Sequence, residues 1–148
     1  MDDRAVSAVL GYILTLAVMT LLVSGLFLAA GNFVENQHER AIRAELEVVG
    51  NRLAADIAAV DRMALASGAV GEAELQSDMP ELTAGQSYLI EISESGTAGV
   101  YFLNASTDDP DVEVSVRVRA ETDLVEGTVN GGDVTVVFNG TAMEVRDG

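Results

Sequence analysis

Two Asn-X-Ser/Thr triplets, Asn104-Ala105-Ser106 and Asn139-Gly140-Thr141, are acceptor patterns for N-glycosylation, in which the side-chain amide nitrogen takes a sugar. Both fall at expected strand ends or turns, where an exported chain exposes them. Asp108, Asp109 and Asp111 with Glu113 offer oxygen ligands of the kind Ca²⁺ takes, but the segment lacks the glycine and terminal glutamate of an EF-hand loop. A solvated acidic loop is the expectation there. The single histidine, His38, stands among charged residues with no nucleophile recognisable beside it and reads as a surface side chain. The absence of cysteine removes disulfides, a thiol nucleophile and the usual zinc ligand set. No glycine-rich phosphate cradle precedes a helix. Carboxylates are so numerous that no acid/base pair stands out. These residues point to a non-catalytic chain with no metal and no cofactor.

The charge that surrounds them is one-sided. The 148 residues carry 24 Asp and Glu against 8 basic residues, for a formal charge of −16, and every base is arginine. A surface this negative repels phosphate backbones, so nucleic acid is not an expected partner. The composition resembles that of proteins from salt-loving archaea, where molar salt shortens the Debye length to about 3 Å and makes carboxylate repulsion tolerable.

The elements that must position these residues follow from hydropathy. Residues 5 to 34 contain no charge, and as a helix they span about 45 Å, more than a hydrocarbon core of about 30 Å. Membrane insertion is therefore expected. A conventional secretory signal fits poorly, since its apolar core is shorter and its start positive, whereas Arg4 here stands beside Asp2 and Asp3. Counting cations, Arg4 before the span against Arg40, Arg43 and Arg52 after it, favours a cytoplasmic C-terminal side. The four glutamates interspersed among those arginines, and the family likeness given below, favour the opposite orientation, with the C-terminal part outside.

From Glu35 to about Ser67 the apolar residues Ile42, Leu46, Val49, Leu53, Ile57, Val60 and Ala64 recur at steps of three and four, a single helical stripe. Glu39 with Arg43, Arg43 with Glu47, and Arg52 with Asp56 are spaced to pair along its sides. Nothing interrupts the helix before Ser67-Gly68, so one continuous helix from about Ala5 to Ser67 is expected. Beyond it the period becomes two. Val112, Val114, Val116 and Val118 alternate with polar residues, as do Tyr88, Ile90 and Ile92. Further strands are expected at 100–104, 124–129, 134–138 and 142–146, divided by turn signals such as Asn130-Gly131-Gly132 and Asn139-Gly140. The expected architecture is α+β. A long N-terminal helix, apolar then amphipathic, is followed by a small antiparallel β-sheet head of about six strands, one face covered by the Ile42–Ala64 stripe.

The opening Asp2-Asp3-Arg4-Ala5-Val6-Ser7-Ala8-Val9-Leu10-Gly11-Tyr12-Ile13-Leu14 resembles the N-terminus of archaeal type IV pilins, in which a charged leader, a basic residue, a small residue and an apolar helix occur in that order. Those proteins commonly read R-A-V-S-P-V-I-G; Ala8 replaces the proline here and Leu10 the isoleucine. The resemblance implies a leader of residues 1–5 that a prepilin peptidase removes at the Ala5/Val6 bond, so that Arg4, Ala5 and Val6 carry the processing signal. It further implies a membrane or filament-core helix at 6–34, a surface-exposed unit at 35–148, and membrane lipid, like or related pilin subunits and the pilus assembly machinery as partners. Ser7, Gly11 and Thr15, with Gly25 and Ala29, place small residues four apart, through which such helices approach closely. The alternative is an uncleaved single-pass membrane protein whose head binds a ligand or a partner.

Overall fold

A computed structural model describes residues 2–66 and 71–148, with side chains from residue 7 onward. The expected helix stop at Ser67-Gly68 lies outside the described residues. Helix α1 runs Asp2–Ala66 without interruption. Eight strands follow: β1 (Ala73–Ser77), β2 (Leu82–Thr83), β3 (Gln86–Glu94), β4 (Val100–Thr107), β5 (Val112–Arg119), β6 (Gly127–Asn130), β7 (Val134–Phe138) and β8 (Met143–Asp147). The architecture is α+β, a long N-terminal helix followed by antiparallel sheets. The chain divides into two compact units, Met1–His38 and Glu39–Gly148.

In the second unit, the head, β3, β4 and β5 form successive antiparallel hairpins, and β3 also pairs β2 and β6 along its other edge. A separate three-stranded sheet has the order β1-β7-β8. The Asn139-Gly140 signal closes the β7–β8 hairpin as its chemistry predicts. The 124–129 expectation shortens to β6, while Leu124 makes an isolated parallel bridge to Met143 instead. That bridge is held by Met143 N–H to Asp123 O at 2.7 Å and Val125 N–H to Met143 O at 2.8 Å. The expectation of about six strands is corrected to eight, because β1 and β2 lacked a readable period.

The helical stripe is buried along its whole length. Ile42, Leu46, Leu53, Ile57 and Val60 are fully inaccessible, and Val49 and Ala64 nearly so. They join one hydrophobic core with Tyr88, Ile90 and Ile92 of β3, Tyr101, Leu103 and Ala105 of β4, Val112 and Val118 of β5, and Val134, Val136, Phe138 and Met143 of the second sheet. The helix and both sheets therefore contribute to one core. The intrahelical ion pairs expected at Glu39/Arg43, Arg43/Glu47 and Arg52/Asp56 are not among the bonds formed. Arg43 Nη1 instead donates to Glu113 O on β5 at 3.1 Å, and the ion pair found among the described residues is Arg146 with Glu144. Exposed pairs contribute only tenths of a kcal/mol, too little to hold a long side chain against a better acceptor.

One glycine sets the distance between helix and sheet. A Cβ placed on Gly50 would lie 2.9 Å from Cγ2 of Val116, whose branched side chain has little rotamer freedom to give way. Gly50→Ala is therefore expected to destabilise the head by about 1–2 kcal/mol, although alanine is the better helix former by about 1 kcal/mol. Denaturant unfolding followed by circular dichroism checks the sign.

Candidate functional site

The first candidate is the apolar stretch of α1. By length and composition this helix is long and apolar enough to cross a membrane. Its large side chains are open among the described residues: Leu21, Leu26, Phe27 and Leu28 are each more than two-thirds exposed. Two of its hydroxyls are satisfied within the helix: Thr15 Oγ1 donates to Gly11 O at 2.8 Å and Thr20 Oγ1 to Leu16 O at 2.9 Å, as suits a medium without water. Nothing lies within 4 Å of a Cβ built on Gly11 or Gly25, so with Ser7, Thr15 and Ala29 they stand on open helix surface. Arg4, Ala5 and Val6 have helical backbone, and their side chains lie outside the described residues.

The two glycosylation triplets part company. Asn139 stands exposed in the β7–β8 turn, its Oδ1 accepting the N–H groups of Thr141 at 3.0 Å and Ala142 at 3.1 Å. The carboxamide is thereby fixed by its oxygen, and its nitrogen makes no hydrogen bond among the described residues. Asn104 does not lie at a strand end or turn, and that expectation is corrected. It sits in the middle of β4, between Glu91 of β3 and Ser115 of β5, half-buried. The strand runs on to Thr107 because Asn104 and Ser106 occupy its outward positions, continuing the alternation with buried Leu103, Ala105 and Thr107.

The remaining sequence candidates stay apart. Asp108, Asp109, Asp111 and Glu113 are exposed around the β4–β5 turn, and among the described residues no group of three or more carboxylates or histidines is disposed to hold a metal ion. His38 is exposed on α1.

The residue missed in the sequence is Asp61. It is 7% exposed, and its carboxylate accepts the N–H groups of Glu121 at 3.1 Å and Thr122 at 2.9 Å, clamping the segment after β5 to the helix. An open depression of 710 Å³ lies beside it, lined by Gly99, Arg119, Glu121 and Asp123 among others. Each carboxylate oxygen accepts a backbone N–H, so Asp61 acts as a structural acceptor. Its position beside Val60, one step off the core stripe, was the available signal.

No curated protein and no solved structure matches the chain. A family profile matches residues 1–146, taking in the apolar helix and the head together. The chain belongs to the family of unknown function DUF7266.

Proposed function

We propose that the chain is a pilin-like structural subunit, non-catalytic, held in the cell membrane by a single pass of its N-terminal helix with the head outside. The observation that carries this reading is the uncharged stretch of α1, exposed on all sides, in the same helix that supplies the core stripe of the head. A helix apolar all round has to be buried in lipid or among other helices. Removal of the leader at Ala5/Val6 would free it to exchange the first for the second, with Ser7, Gly11, Thr15, Gly25 and Ala29 admitting close approach. The partners on this reading are membrane lipid, a prepilin peptidase, like or related subunits and their assembly machinery, with no nucleic acid and no cofactor.

N-terminal sequencing of native protein tests it. A new terminus at Val6 is the expected result, and Arg4→Gln or Ala5→Leu should abolish processing. A terminus at Met1 or Asp2 would instead leave a static anchor. Protease protection in whole cells tests the orientation, with digestion of the head expected.

On the same reading Asn139 is the residue that carries a glycan. It is exposed in a fixed turn with its amide nitrogen unengaged, whereas Asn104 is enclosed between two neighbouring strands. Intact mass of native protein should show a glycan that Asn139→Gln removes and Asn104→Gln leaves. An unmodified mass in wild-type material would exclude it.

A further inference from the structure

We infer that the outer face of α1 between Arg40 and Ala58 is a pairing surface for a second copy of this chain, aligned parallel and in register. This deepens the assembly reading above, and it rests on that reading only for two copies being anchored by the same end. Leader removal and filament growth are not required.

The face lies opposite the buried stripe. Ala41, Ala44, Val48, Asn51, Ala55 and Ala58 recur at steps of three and four, a seven-residue repeat, and all but the half-buried Ala58 are exposed. Val48 is 68% exposed although it lies within the folded head. Beside it Leu82, 51% exposed, forms with Ala44, Val48, Val49 and Pro80 an apolar groove of 450 Å³. The β2 end of this groove is held to the helix by Ala84 N–H donating to Glu45 Oε2 at 2.5 Å. A second helix laid along the face covers Val48 and fills the groove from both sides of a two-fold axis.

The charges that border the face identify the occupant. On one border stand Arg40 and Glu47, and on the other Glu45 and Arg52, all exposed. In a parallel pair of helices with a seven-residue repeat, each residue on the first border meets the residue five positions later on the second border of its partner. Arg40 then faces Glu45 of the second copy, and Glu47 faces Arg52 of the second copy, with the same two pairs repeated by symmetry. Glu45 keeps a carboxylate oxygen free for this besides the one that Ala84 uses. An antiparallel partner loses this matching, and anchoring by one end in one bilayer imposes the parallel direction. Three of the seven arginines of the head, Arg40, Arg43 and Arg52, stand in this stretch against three acids, Glu45, Glu47 and Asp56, so its formal charge is zero. It is therefore a place where one strongly acidic chain can approach another without net repulsion.

The chain has no cysteine, so single-cysteine variants of the full chain in native membranes give clean disulfide cross-linking. Ala44→Cys and Val48→Cys should form dimers of this chain, and Ser115→Cys, on the exposed side of β5, should not. In the Val48→Cys background Glu47→Arg sets like charges opposite each other twice and should weaken dimerisation about tenfold, and Glu47→Arg with Arg52→Glu should restore it. An unchanged circular dichroism spectrum and melting midpoint of the Glu47→Arg single variant show that it folds. The inference is overturned if Val48→Cys cross-links no better than Ser115→Cys, if the charge exchange fails to restore the dimer, or if mass spectrometry identifies a different protein in the adduct. A dimer that forms in chains still beginning at Met1 upholds the pairing while removing the pilin reading.

Discussion

Leu53→Ala should lower the unfolding free energy of the head by about 2–5 kcal/mol, and Leu53→Asp should leave it unfolded. Leu53 is fully inaccessible at the middle of the helical stripe, in the core to which both sheets contribute. Truncation leaves a cavity in that core, and aspartate would bury a charge there. A small domain has a total stability of about 5–15 kcal/mol, so even the alanine variant loses a large share. Denaturant unfolding of the full chain in detergent, followed by circular dichroism, reads the effect. Met63→Ala, on the same helix but 42% exposed, should shift it by about 0.5 kcal/mol or less. Equal effects at the two positions would mean that the stripe is not what holds the sheets.

The second large effect is expected from salt. From Glu39 onward the chain carries 21 Asp and Glu against 7 Arg, and the ion pair found among its described residues is that of Arg146 with exposed Glu144. The negative charge is thus compensated by solvent ions and hardly at all by the protein. Lowering salt from about 1 M to about 0.1 M lengthens the Debye screening distance from about 3 Å to about 10 Å, which brings many more carboxylates within range of one another. The head should lose several kcal/mol and melt at markedly lower temperature in the dilute buffer. An unchanged thermal midpoint across that range would remove repulsion as a significant force in this fold.

The helix and its buried face were legible because they rest on local rules. Seven apolar residues at steps of three and four left a single face to bury, and all seven are buried. The alternations at Tyr88–Ile92 and Val112–Val118 located β3 and β5 for the same reason. β1 escaped because Ala73-Glu74-Leu75-Gln76-Ser77 offers a single large apolar side chain; it is a strand by virtue of β7, whose pairing no local pattern announces. The division into two sheets was equally hidden, since β6 turns back to β3 and leaves β7 to pair β1 and β8. At the sites, Asn139 was placed correctly by turn chemistry. Asn104 was misplaced because a polar residue on the wet side of a strand looks, in sequence, like a strand end. Asp61 could not be recognised as a clamp, because its partners are backbone groups sixty residues away.

The β1–β7 ladder joins Ala73 to Phe138 and Ser77 to Val134, and β8 completes that sheet from beyond β7. Contacts so remote in the chain form slowly, and the last two strands leave the ribosome after every other one. The head of the nascent polypeptide therefore stays open until its final two strands have emerged, and its closure is a late event of synthesis.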